Sequence, residues 1–149
     1  MITDELVKLA VAAAKAHNLD PALVCAIVEQ ESGWNPWAIR YEPAFFVKYV
    51  APLYTNNKIS ATEAYGRSFS WGLMQLMGQV ARELGFANTY LTSLLDPATA
   101  LEWGCQHFTK KLVAARGDTH AALFMWNGGG DALYPDQVIT KVVKYSYNT

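Results

Sequence analysis

The sequence predicts an all-α fold on three observations. Acid–proline pairs, Asp20-Pro21 and Asp96-Pro97, stand where helices begin; the carboxylate accepts from unpaired N–H groups, and proline has no N–H to leave unpaired in a first turn. Glycines at 33, 85 and 117 stand where helices end, because the left-handed backbone of a helix stop carries little penalty without a Cβ. Between starts and stops the apolar residues recur every three or four positions, and no pair of alternating runs offers a sheet.

Taken in order, Thr3 is read as the cap of a first helix, with Asp4 and Glu5 in its first turn and Leu6, Leu9, Ala10 and Ala13 on its buried side. Asn18 ends it, and a short turn leads to the helix bracketed by Asp20 and Gly33. There Val24, Ile27 and Val28 form the apolar stripe, and the next position on that stripe is Glu31, while Glu29 falls on a different face. Apolar neighbours and the negative helix end both disfavour the charged form of a carboxyl so placed. Protonated near neutral pH, it is suited to general acid work on a poor leaving group such as a glycosidic oxygen. The other reading is a solvated last-turn residue at the rim of the stripe.

From Trp34 to Phe69 prolines at 36, 43 and 52 interrupt helices, and aromatics accumulate: Trp34, Trp37, Tyr41, Phe45, Phe46, Tyr49, Tyr54 and Tyr65. About two of them are expected in a groove, where aromatic faces stack on sugar rings, and the others in the core. A short helix follows Pro43, with Glu42 as its N-cap, and Ser60 with Glu63 forms a capping box for another. Ser70 is expected to start a helix with Leu73, Leu76, Met77, Val80 and Leu84 on one face and Gly85 as its stop. Gly72 inside it implies a close approach to the backbone or a tight crossing of two helices. Asp96-Pro97 opens the longest helix, with Leu101, Cys105, Phe108 and Leu112 inward and Lys110, Lys111 and Arg116 near its end. Asp118 opens a short apolar helix that runs into Trp126-Asn127 and three glycines, an abrupt reversal. Pro135 begins the last helix, with Val138, Ile139, Val142 and Val143 buried.

The 149 residues suit a single domain, 1–149, carrying the aromatic-rich segment at about 34–69 as an insertion. With 52% apolar and 17% charged residues the chain is a compact globule. A net charge of −1 gives no electrostatic footprint for nucleic acid or an anionic membrane surface. Cys25 and Cys105 have neither metal-site nor redox spacing and are read as small core residues, their pairing left open. No stretch reaches transmembrane length, and the first twenty residues lack the basic start and uninterrupted apolar core of a signal peptide. A substrate outside the cytoplasm would then require delivery by phage lysis or a virion, or excision from a larger protein. A monomer is expected.

Three of these stretches resemble, together and in order, the lytic transglycosylase family of the goose-type lysozyme-like fold. They are Glu31-Ser32 at a helix end, the run from Gly72 through Leu73, Met74, Gln75 and Leu76 to Met77, and Trp126-Asn127-Gly128-Gly129. Asp96-Pro97 and Tyr134 with Val138 also fit, so the similarity runs from about Leu6 to Val143. The resemblance implies a lysozyme-like helical domain with a substrate groove, acting on peptidoglycan glycan strands without metal or cofactor. It implies cleavage of the β-1,4 bond between N-acetylmuramic acid and N-acetylglucosamine, with closure of a 1,6-anhydro ring and Glu31 as the single acid/base. By the same correspondence Ser32, Ser70, Met74, Gln75, Met77, Trp126 and Asn127 are substrate-binding, Gln75 through its amide and Met77 as an apolar wall. Ser68 is the other candidate for the role given to Ser70. Trp126 stands where the family has tyrosine and supplies an apolar wall with one N–H donor.

The family has a short loop between the glutamate and the Gly-Leu-Met-Gln run, whereas here residues 32–71 intervene. That segment brings Glu42 and Glu63, candidate second carboxylates for a muramidase that hydrolyses the same bond; an inverting hydrolase needs one roughly 6.5–9.5 Å from the acid. A catalytically silent glycan-binding or assembly domain is the remaining alternative, and a helix-turn-helix DNA module is disfavoured by the charge balance.

Overall fold

The computed structural model describes residues 4–146, so the expected Thr3 cap lies outside the described residues. Helix α1 (Asp4–Ala16) ends in a turn with Asn18 in the left-handed region, and α2 (Pro21–Ser32) follows. The Asp20 carboxylate accepts from the Ala22 N–H at 2.9 Å, and Gly33, at φ 57°, closes the other end by donating to the Glu29 carbonyl. Every residue from Ala22 to Val28 is buried, so α2 is enclosed on all sides where the sequence suggested a single stripe. The reason lies in its neighbours: α1 covers one side, and α9 (Tyr134–Tyr145) covers another.

α7 (Pro97–Ala114) and α8 (Thr119–Trp126) complete the packing, α1 against α7, α7 against α8, and α8 against α9. Both begin on the predicted aspartates, Asp96 accepting from Thr99 N–H and Asp118 from Ala121 N–H, each at 2.9 Å. Phe108, Ile27, Leu101, Leu123 and Val138 meet in the main core with Cys25 and Cys105, which are free thiols. Burial pushes those thiols up to about 11 and about 12. On α9 only Val138 and Tyr145 are fully turned inward among the apolar side chains beyond Pro135, with Val142 half-buried; Ile139 and Val143, expected in the core, are exposed because α9 has only one covered face.

The stretch 34–83 departs most from the expected helices. Ile39–Tyr41 (β1), Phe69–Trp71 (β2) and Leu76–Met77 (β3) form a small antiparallel sheet in that order, with Arg40 opposite Ser70 and Ser70 opposite Met77. No helix starts at Ser70. Residues 72–75 are the turn of a hairpin, with Gly72 at φ 67° and Gln75 at φ 51°, and α6 (Gly78–Glu83) begins only after it. The helical spacing of Leu73, Leu76, Met77 and Val80 therefore comes from two different structures read as one. Gly72 is needed because a Cβ there would lie 2.3 Å from the Leu94 carbonyl oxygen, so the close approach is made by the 3-10 turn Leu91–Leu95. Leu73 and Met74, at the hairpin tip, are wholly buried in the main core.

Between β1 and β2 lie α3 (Pro43–Phe45), a π-helical turn (Phe46–Val50), α4 (Ala51–Thr55) and α5 (Ala61–Arg67). Glu42 precedes α3 but makes no side-chain cap; only half of the Ser60–Glu63 box forms, the serine hydroxyl accepting from Glu63 N–H at 3.2 Å. Most aromatics of this segment pack on one another, Phe46 stacked on Tyr65 and Tyr41 tilted against Phe69 at 5.3 Å. Among the described residues no helix is long and apolar enough to cross a membrane.

Candidate active site

Three helix ends converge at Glu31. α2 brings it in its last turn, α8 ends at Trp126, and α9 starts at Tyr134. The Trp126 indole N–H donates to Glu31 Oε1 at 2.8 Å and the Tyr134 hydroxyl to the same oxygen at 2.5 Å. With Oε1 accepting two hydrogen bonds, Oε2 is left to carry the proton of the neutral carboxyl. Burial pushes the Glu31 pKa above the usual carboxylate range, opposed by the two donors and by the charge of Arg40, and the upward push prevails. Burial and the adjoining carboxylate likewise push the Tyr134 phenol up, so it stays a donor. Glu29 is on the other side of the helix, bonded to Lys144 at 2.9 Å and to Tyr145.

Glu31 opens on a cavity of about 490 Å³. Leu76, Met77 and Val80 line it from the hairpin and α6, Trp126 and Asn127 from the end of α8, and Phe45, Arg40 and Glu42 from the segment after α2. Glu42 is ion-paired, accepting from Arg40 Nε at 2.5 Å. His107 and Lys111 line the cavity from α7, the imidazole 5.4 Å from the Trp126 ring. Among the described residues no cluster of His, Cys, Asp and Glu could hold a metal ion.

A polar network fixes the hairpin beside the end of α2. The Gln75 amide N–H groups donate to the Ala38 and Gly72 carbonyls at 3.0 and 2.9 Å, and its oxygen accepts from Ser70 Oγ at 2.9 Å. Ser32 Oγ faces two carbonyls, Leu73 at 2.9 Å and Val28 at 3.1 Å, and so ties the end of α2 to the hairpin tip.

Comparison with known proteins settles the family. The model of the transglycosylase SLT domain matches residues 8–141, nearly the whole chain. The chain belongs to this family. It is also 30% identical over 118 residues to a protein named "Transglycosylase" from Enterobacteria phage PRD1, a match that takes in 79% of this chain. The chain spans about a third of that relative, 32% of its length. No solved structure gives a significant match.

Within this SLT domain the residues singled out by sequence separate into groups. Glu31, Ser70, Gln75, Met77, Trp126 and Asn127 all line the one cavity, as does Glu42. Met74 does not: it is wholly buried, and its side chain fills the space over Gly104 on α7, where a Cβ would be 2.3 Å from Sδ. Ser32 holds backbone and stands off the cavity lining. The Gln75 amide, expected to meet sugar, has its donors engaged by Ala38 and Gly72 and its acceptor by Ser70, which makes it a positioning group. Glu63 lies outside the cavity, clamped by Arg82 Nε at 2.7 Å and Arg67 Nε at 2.8 Å. Ser68 is buried and donates to the Ala64 carbonyl. Of the aromatics expected to share a groove, only Phe45 is among the described residues that line the cavity: Phe46 and Tyr65 close on Tyr41, Trp34 is buried in the main core, and Trp37 and Tyr54 are exposed elsewhere.

Tyr134, Arg40, His107 and Lys111 were not predicted as site residues. Tyr134 carried a usable signal, a tyrosine just after the glycine reversal and ahead of Pro135. His107 carried none, being one of several side chains on a long helix.

Proposed function

We propose that this SLT domain is a peptidoglycan lytic transglycosylase that cleaves between N-acetylmuramic acid and N-acetylglucosamine, with Glu31 as its acid/base. The observation that carries the reading is the half-buried Glu31 carboxyl, its pKa raised, held through one oxygen by Trp126 and Tyr134 at the wall of an open cavity. The protonated carboxyl gives its proton to the glycosidic oxygen, and the N-acetylglucosamine portion leaves with a free 4-hydroxyl. The resulting carboxylate, still bonded by its two donors, takes the proton of the muramoyl 6-hydroxyl as that oxygen bonds to the anomeric carbon. The 1,6-anhydro ring closes, Glu31 is protonated again and no water is consumed. A pKa raised by burial and restrained by hydrogen bonds suits one carboxyl to both roles.

The name of the phage relative supports transglycosylation. So does the state of the other carboxylates: Glu63 is outside the cavity, and Glu42 is engaged by Arg40, whose Nε–H donates to its Oε1. Glu42 on the cavity wall is also the observation that favours a second reading, a muramidase hydrolysing the same bond. Mass spectrometry of muropeptides released from purified peptidoglycan decides between them. Products ending in 1,6-anhydromuramic acid are expected, and products heavier by one water would transfer the reaction to Glu42 and water. Glu31→Gln is expected to fold and to lose at least ~100-fold in turnover; near-parental activity would refute the assignment of the acid. The site of action on this reading is the bacterial cell wall.

A further inference from the structure

The α7 wall of the cavity carries polar groups that the cleavage step does not use. His107 Nδ1 is buried without a hydrogen-bond partner. A buried N–H without an acceptor is rarer in proteins than a lone pair left unpaired, so the proton belongs on Nε2, the nitrogen left for the cavity side of the ring. Burial, with help from Lys111 and Lys110, pushes the His107 pKa down to about 4, which keeps the ring neutral. Lys111 follows one helical turn later on the same face and also lines the cavity, half-buried. Its ammonium makes no ion pair of 4 Å or less among the described residues. Of the carboxylates on the cavity wall besides Glu31, Glu42 is paired with Arg40, and Glu83 is exposed and accepts from Gln79 Nε2 at 2.9 Å. A neutral N–H donor beside an unpaired cation in a cavity is the arrangement that receives a carboxylate.

We propose that His107 Nε2–H and Lys111 Nζ form a subsite for a carboxylate carried on the 3-O-lactyl arm of the muramoyl residue. This rests on the glycan-cleaving reading above, and gives that reading a means of telling the muramoyl sugar from its neighbour, which has no such arm. The carboxylate is either the lactyl group's own, in strands without peptide, or one on the attached peptide.

The test measures binding on a Glu31→Gln background with three probes of equal sugar length. These are strands bearing peptides, strands stripped of peptide by an amidase, and a chitooligosaccharide, which lacks the lactyl arm. Lys111→Met is expected to weaken muramoyl strands roughly tenfold or more, the value of a charge-assisted hydrogen bond. Chitooligosaccharide affinity is expected to stay the same, and Lys111→Arg to restore most of the loss. A loss confined to stripped strands identifies the lactyl carboxylate, and a loss confined to peptide-bearing strands identifies one on the peptide. His107→Gln, which keeps an N–H donor, is expected to bind better than His107→Phe. Equal affinity of Lys111→Met and its parent for all three probes, or equal loss on all three, would overturn the subsite. Muropeptide release by the otherwise unchanged chain is scored separately, so a failure of the cleavage reading is distinguishable from a failure of the subsite.

Discussion

At the scale of single residues, the site turns on how Glu31 is solvated. Removing it from water raises its pKa, and Tyr134 and Trp126 return part of what water supplied, both through Oε1. Tyr134→Phe removes a donor that favours the charged form, so the Glu31 pKa is expected to rise further. The alkaline limb of the pH–rate profile is then expected at higher pH, with turnover down by about tenfold, the scale of one hydrogen bond to a charged group. A profile unmoved on its alkaline side would show that Tyr134 does not restrain the acid. The same burial affects stability. A carboxyl whose native pKa lies above its unfolded value holds its contribution below the unfolded value and loses it as pH rises through the native one. Glu31→Gln removes that loss, and denaturation above neutral pH is expected to find it at least as stable as the parent.

At the scale of elements, the decisive piece is the β2–β3 hairpin. Its tip enters the main core while its strands carry Ser70 and Met77 to the cavity, so one short turn sets part of the cavity wall. Gly72 allows that depth: φ is 67°, and any Cβ would meet the Leu94 carbonyl at 2.3 Å. Gly72→Ala is expected to lower stability by about 3 kcal/mol, combining backbone strain with a backbone clash, as read by urea denaturation. The hairpin was not legible in the sequence because Leu73, Leu76, Met77, Val80 and Leu84 satisfy a helical period, and Gln75, the second left-handed residue, is not a type that announces a turn. The helices were legible, since caps such as Asp20, Asp96 and Asp118 act within three residues of themselves.

At the scale of the molecule, the cavity borders two hydrophobic clusters, the helical core around Phe108 and a smaller one containing Trp71, Leu76, Phe86 and Leu94. Glu63 stabilises the side of the smaller cluster by joining α5 to α6 through Arg67 and Arg82. Its hydrogen bonds, from Arg82 first, hold its pKa below the usual glutamate range. A lowered native pKa gives stability that is present above the unfolded value and is lost as pH falls through the native one. Glu63→Gln is therefore expected to lose about 2 kcal/mol at neutral pH and little in strong acid. Its turnover per folded molecule is expected to stay unchanged, since Glu63 stands outside the cavity. A selective loss of turnover would restore Glu63 as a second carboxylate.

By itself the sequence determined the helical class, the starts and stops of most helices, the placement of Glu31 in the last turn of α2 and the resemblance that the family match bears out. These are matters of local hydrogen bonding, periodicity and short motifs, which act along the chain. Only the tertiary structure decided that Trp126 and Tyr134 share one oxygen of Glu31, that Met74 is core and Glu63 is clamped elsewhere, and that Glu42 meets Arg40. Those outcomes depend on which side chains arrive at the same place from distant positions. Burial and charge pairing are properties of that meeting, and spacing along the chain does not encode them.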